Sequence, residues 1–153
     1  PHTIPGDNMK VWKYAVTGYL GGMIYVGLEL LWRRWSHGSM FLVGGICFLL
    51  IGLIPRLLPS VPELMQAVLG ACAVTAAELI SGLIINDALK LHVWDYSAMP
   101  YNFLGQVCMS YFFLWIIVSW MALELHRLLR WKLFGDKPEP CRRLWPVYDR
   151  KKA

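Results

Sequence analysis

The segment Met40–Leu58, MFLVGGICFLLIGLIPRLL, decides the fold of this chain. It is apolar up to Pro55 and Arg56, and its length is close to the roughly 20 residues that an α-helix needs to cross the hydrocarbon of a bilayer. A helix that is apolar on every side is typical of a membrane span or of a large protein core. We therefore predict a membrane-spanning helix here, with Pro55 and Arg56 at its frayed end.

Three more apolar segments flank this one and predict further spans at 11–32, 61–85 and 100–129. The 153-residue chain is 57% hydrophobic and 16% charged, whereas soluble domains carry about 25% charged residues. The fold class that follows is all-α, an integral membrane four-helix bundle. One transmembrane domain, 9–130, takes up most of the chain, and we expect no soluble catalytic domain.

The segments around the spans give weaker signals. Residues 1–8 read as a non-native remnant or a disordered leader, and 131–153 read as a basic tail that lies on the membrane surface or is disordered. Ser60 and Glu63 have the spacing of a capping box, which predicts that they begin the third span.

Basic residues predict the orientation. Four spans place both termini on one side, and between Lys10 and Arg143 nine lysines and arginines fall on that side against three on the other. By the positive-inside rule both termini are cytoplasmic, in a multi-pass protein of the cell membrane. The net charge of +5 therefore reflects membrane topology, and we expect no nucleic-acid partner. The nine are Lys10, Lys13, Arg56, Arg127, Arg130, Lys132, Lys137, Arg142 and Arg143, and the three are Arg33, Arg34 and Lys90.

Two glutamates, Glu29 and Glu78, fall inside predicted spans. An ionised carboxylate in hydrocarbon is costly and normally faces the bundle interior. Small residues share the helical face of each glutamate, and Gly18-x-x-x-Gly22 is a close-packing pattern. The similar depth of the two carboxylates indicates a possible parallel two-helix repeat. The pair either binds a cation, a proton or a cationic group of a substrate, or each carboxylate bonds a Trp, a Tyr or the backbone.

Asn102, Gln106 and Ser110 form a polar stripe at i, i+4 and i+8 if they lie on the fourth span, whose first turn Pro100 suits. Amides in a membrane helix either line a polar path or hold helices together. The stripe therefore adds Asn102 and Gln106 to the candidate site.

The connector 86–99 carries Trp94-Asp95-Tyr96-Ser97, an acidic and aromatic run beside a span. In one interpretation Asp95 caps a helix while Trp94 and Tyr96 anchor at the interface. In the other, Asp95 points into the bundle towards the glutamates. The second interpretation adds these four residues to the candidate site.

Metal and cofactor chemistry find little support in the sequence. His37 and His92 are predicted on the same side as the connector, but no pair of ligands has metal-site spacing. The four cysteines show no C-x-x-C pattern. We therefore expect no metal and no cofactor.

Taken together, these motifs resemble a known family, the putative ABC-transporter type IV permeases, which are small multi-span bacterial membrane proteins. The Trp94–Ser97 run, Pro100 with Asn102, and Gly105-Gln106 carry the resemblance, with looser likeness around Glu29 and Glu78. It covers the chain from Met9 to about Gly135. The resemblance implies transport in a bacterial inner membrane, and it maps the family's recurring polar positions onto Glu29, Glu78, Trp94, Asp95, Tyr96, Ser97, Asn102 and Gln106.

The leading functional hypothesis is a small transporter or channel subunit that acts as a homo-oligomer in the lipid bilayer. Its outward-facing site would use the carboxylates of Glu29, Glu78 and Asp95, with the amides of Asn102 and Gln106 orienting the substrate. One alternative is a membrane-embedded enzyme acting on a lipid or lipid-linked substrate, although we expect transport rather than catalysis. Another is a structural or regulatory subunit, whose basic tail could contact a soluble or membrane partner.

Overall fold

The computed structural model describes residues 5–136, with side chains described from Met9 onward. Four helices dominate it, and each is long and apolar enough to cross a membrane. Helix α1 covers Pro5–Arg33, α2 Gly38–Leu57, α3 Glu63–Gly82 and α4 Met109–Phe134, and a π-helical turn, Leu83–Ala88, continues α3. The predicted fold class, an all-α membrane bundle, is confirmed.

Helix α4 begins nine residues later than the sequence predicts. Asn102–Phe103 (β1) pairs antiparallel with Val107–Cys108 (β2) in a small hairpin, so Pro100 lies in a turn and not in a first helical turn. The hairpin turns at Gly105, whose φ of 67° suits glycine. Backbone and side-chain bonds within this loop replace the helical bonds that the apolar pattern favours.

Three predicted boundaries also change. Pro62, with no side-chain capping bond, precedes α3, so the capping box of Ser60 and Glu63 is wrong. The Glu63 side chain instead lies 3.7 Å from the Arg127 guanidinium on α4. Helix α1 already begins at Pro5, within the predicted leader, and α4 runs to Phe134, within the predicted tail. Residues 1–4 and 137–153 lie outside the described part of the chain.

Glycines allow α1 and α2 to pack backbone to backbone, as the Gly18-x-x-x-Gly22 pattern predicts. A Cβ added at Gly22 would lie 2.5 Å from the Phe41 carbonyl oxygen, and one added at Gly45 would lie 2.7 Å from the Gly18 carbonyl oxygen. Those are backbone atoms, which cannot turn aside as a flexible side chain can. The close α1–α2 seam therefore depends on the missing side chains.

Replacing Gly22 with alanine should destabilise the protein by about 1–3 kcal/mol, the usual range for overpacking. The matched control is Gly27→Ala on the same helix, where an added Cβ meets nothing within 4 Å. The control should stabilise the protein by up to about 1 kcal/mol, because alanine favours helix more than glycine does. Thermal unfolding in detergent measures both variants, and equal shifts would contradict the proposed seam.

The bundle is not evenly packed. Helix α2 contacts α1, α3 and α4, while α1 and α4 touch at few points. The core joins α2, α3 and α4 through Cys47, Ile51, Ala67, Val74 and Leu123. Space therefore remains between α1 and α4 along the side of the bundle, and it includes the candidate site.

Candidate functional site

A groove of about 260 Å³ lies between α1 and α4, at the end of the bundle that carries the connector. Aromatic and aliphatic side chains make up most of its wall, and Glu29 and Arg33 form its charged part. Because it opens between two helices that touch at few points, its mouth would face the lipid. The lining residues are Tyr25, Leu28, Glu29, Trp32, Arg33, Tyr96, Tyr111, Leu114, Trp115 and Val118.

Glu78 of α3 lies behind one wall of the groove and is only 3% exposed. Its Oε2 accepts a hydrogen bond of 2.7 Å from the Trp115 indole Nε1. The Trp115 ring in turn stacks on Tyr25, with ring centroids 6.1 Å apart. One layer of indole therefore separates the buried carboxylate from the groove.

Glu29 is held at the rim of the same groove. Its Oε1 pairs with the Arg33 guanidinium one turn later, and its Oε2 accepts a 2.6 Å bond from the Ser36 hydroxyl. Arg33 also donates to the Val93 carbonyl at 3.3 Å, which ties the connector to α1. The carboxylate is therefore positioned from both sides.

Tyr96 is the connector residue that enters the groove. Its ring stacks on Tyr111 of α4, with ring centroids 4.7 Å apart. Burial, followed by the nearby Glu78 carboxylate, raises the pKa of the Tyr96 phenol above its ordinary value of 10.0. The phenol is therefore neutral at physiological pH and keeps its O–H as a donor.

The charges and rings of the groove favour a positive guest. Glu29 at the rim pairs with Arg33, and Glu78, buried behind Trp115, is a second carboxyl group that can balance a bound cation. The aromatic faces add attraction, because a cation within about 6 Å of such a ring is bound by its quadrupole. The arrangement suits an organic cation with an apolar body.

Asp95 and Ser97 bond each other in a turn, so the Asp95 carboxylate does not extend into the bundle. The Asp95 Oδ1 accepts from the Ser97 hydroxyl at 2.5 Å and from the Ser97 backbone N–H at 2.8 Å. These bonds hold the pKa of Asp95 below its ordinary 3.8. A Cβ at Gly105 would lie 2.6 Å from the Ser97 oxygen, so the hairpin packs directly on this turn. Asp95 therefore fits the interpretation in which it acts as a cap, and not the one in which it points into the bundle.

The predicted amide stripe does not exist, because Asn102 and Gln106 lie on the hairpin and only Ser110 lies on α4. Asn102 is exposed, and its side chain donates to the Ser97 and Met99 carbonyls at 3.2 and 2.8 Å. Its Oδ1 accepts from Gly105 N–H. Asn102 therefore closes the hairpin onto the preceding turn.

Gln106 belongs to a buried hydrogen-bond network at the end of α3. The Asn86 amide donates to Gln106 Oε1 and to the Trp94 carbonyl, both at 2.9 Å. Its oxygen accepts from Val93 N–H at 2.7 Å, and the Trp94 indole donates to the Gln106 carbonyl at 3.0 Å. These bonds fix the connector against the membrane helix.

The structure thus divides the eight predicted residues into two groups. Glu29 and Tyr96 line the groove and Glu78 lies behind its wall, whereas the other five hold the connector and the hairpin together. Their binding role stays a prediction. Arg33 and Trp115, which orient the two carboxylates, were missed, since an arginine at a span end and an indole on an apolar helix are both ordinary. The other five are Trp94, Asp95 and Ser97 of the connector and Asn102 and Gln106 of the hairpin.

Comparison with known proteins agrees with this architecture. A family model described as "Putative ABC-transporter type IV" matches residues 9–139. No curated protein and no solved structure shows a significant match.

Proposed function

Since this chain belongs to the family described as Putative ABC-transporter type IV, whose model matches most of it, we propose that it is a small permease for a lipophilic organic cation. The observation that carries the proposal is the groove between α1 and α4, where stacked aromatic rings adjoin two carboxylates. The apolar body of the guest would lie among the rings, with its positive centre towards Glu29 and Glu78.

The lateral mouth of the groove explains how such a guest would arrive. A lipophilic cation concentrates in the bilayer. Its apolar body would stay out of water when it moves from the lipid to the aromatic rings of the groove. By the positive-inside rule, we propose that the groove lies in the outer half of the membrane and that both termini are cytoplasmic. Four spans enclose little volume, and we propose that two or more copies assemble to complete a path.

Filling the groove should weaken binding strongly. Val118 lines the groove, so Val118→Trp would occupy much of its volume. Its neighbour Ile117 is 58% exposed and is not among the lining residues, which makes Ile117→Trp the matched control. We expect tetraphenylphosphonium, a lipophilic cation, to bind the Val118 variant at least on the order of tenfold more weakly.

Radiolabelled tetraphenylphosphonium binding to the protein in nanodiscs measures this effect, and thermal unfolding shows that both variants are folded. Equal affinity of the two folded variants would rule out the groove as the binding site.

The lateral mouth also favours a second candidate, a membrane-embedded enzyme acting on a lipid. An acyl chain would fit the apolar wall, and Glu29 lies where a head group would reach it. Incubation of the purified protein with bilayer lipids, followed by mass analysis of the products, separates the two candidates, because a permease leaves the lipids unchanged.

A further inference from the structure

A second cavity, of about 250 Å³, lies between α1 and α4 at the opposite end of the bundle, where α2 also ends. Its wall differs from that of the groove because cations dominate it. The lining residues are Lys10, Lys13, Tyr14, Thr17, Arg56, His126, Arg130 and Phe134.

The charge of this cavity is strongly positive. Four cations, Lys10, Lys13, Arg56 and Arg130, line it. Among the described residues, the carboxylate of Asp136 offsets two of them by bonding Lys13 at 3.0 Å and also Arg130. Although partial desolvation raises it, these bonds hold the pKa of Asp136 below its ordinary 3.8, so the carboxylate is ionised at neutral pH. Lys13, Arg56 and Arg130 thus carry three positive charges against this one carboxylate among the described residues.

The geometry also presents donors side by side. The Arg56 guanidinium donates to the Tyr14 hydroxyl at 2.7 Å and lies over the Tyr14 ring. Lys13 lies 5.3 Å from the centroid of the Phe134 ring. The cations are thus set at fixed positions by aromatic rings, which are typical of the level of lipid head groups.

We propose that this cavity binds the phosphate group of an anionic membrane lipid. A phosphate accepts several charge-assisted hydrogen bonds at once, and Arg and Lys are its usual partners in proteins. The cavity lies at a span end, so a lipid phosphate reaches it without leaving the interface. Basic pockets between membrane helices on the cytoplasmic side recognise such head groups.

The test uses the full chain in nanodiscs of phosphatidylcholine with phosphatidylglycerol, followed by native mass spectrometry of the retained lipid. Lys13→Gln/Arg56→Gln should reduce retained phosphatidylglycerol on the order of tenfold, since each basic residue near the surface is worth a few-fold. The control Arg34→Gln/Lys132→Gln removes two charges that do not line the cavity and should retain the lipid. Unfolded variants are recognised by thermal unfolding.

A variant with the opposite effect guards against loss of binding through misfolding. Asp136→Asn removes the competing carboxylate, so retention of phosphatidylglycerol should rise several-fold. Unchanged retention in both the double variant and Asp136→Asn would overturn the proposal. Tight binding of inorganic phosphate, with phosphatidylglycerol retained no better than phosphatidylcholine, would also overturn it, because the site would then belong to a free anion.

Discussion

Replacing Asn86 with leucine should destabilise the protein by about 3 kcal/mol or more. The substitution removes three bonds and leaves the Trp94 carbonyl, the Val93 N–H and the Gln106 side-chain oxygen without their partner. An unsatisfied buried polar group costs about 1–3 kcal/mol, and Asn86 is only 3% exposed. No other side chain among the described residues joins the end of α3 to both the connector and the hairpin by hydrogen bonds.

Thermal and denaturant unfolding in detergent measure the loss, and proteolysis within 89–108 reports whether the connector has opened. Asp87→Asn is the matched control, because it changes the next residue but keeps an oxygen facing the Gln106 amide, 3.4 Å away. The control should unfold within about 0.5 kcal/mol of the parent chain, as surface substitutions usually do. An Asn86 variant as stable as the control would show that this hydrogen-bond network is not needed for stability.

The double substitution Glu29→Gln/Glu78→Gln should abolish binding of tetraphenylphosphonium, with a loss on the order of 100-fold, while the fold persists. Each glutamine keeps an oxygen that can accept from Trp115 or Ser36 but removes a negative charge. A carboxylate that ionises beside a bound cation in a buried site attracts it strongly, because the surrounding dielectric is low. The loss should therefore exceed that caused by neutralising carboxylates elsewhere.

The control Asp87→Asn/Glu124→Gln replaces two exposed carboxylates that neither line the groove nor bond a residue that lines it. It should bind tetraphenylphosphonium within about two-fold of the parent chain if surface charges are screened by salt. A parallel loss in test and control would mean that net charge, and not the site, governs binding. Normal binding by the Glu29/Glu78 variant would remove the carboxylates from the proposal.

The sequence was sufficient for the bundle, because long apolar runs leave the chain few alternatives in a membrane. It failed for the first residues of α4. The segment from Pro100 to Cys108 is apolar enough to begin a helix. It forms a hairpin instead, because Gly105 allows the turn and the Asp95–Ser97 turn packs against it. Such contacts come from side chains several residues away, which periodicity does not detect.

The sequence predicted only part of the candidate site, because it shows which residues are polar but not which partners they meet in the fold. Glu29 and Glu78 stood out because a charge in hydrocarbon is costly wherever it lies. Asn102 and Gln106 also stood out, but their polar atoms form hydrogen bonds within the connector and the hairpin. These bonds are visible only once the loop is folded. Trp115 drew no attention, because an indole on an apolar helix is ordinary until a buried carboxylate lies beside it.

The most direct test is a crystal structure of the protein in lipid with tetraphenylarsonium, a lipophilic cation whose arsenic atom scatters anomalously. The account predicts an anomalous peak between α1 and α4, among the rings of Tyr25, Tyr96 and Trp115 and on the side of Glu29 and Glu78. A well-ordered structure with the peak elsewhere, or with lipid filling the groove and no peak, would contradict it.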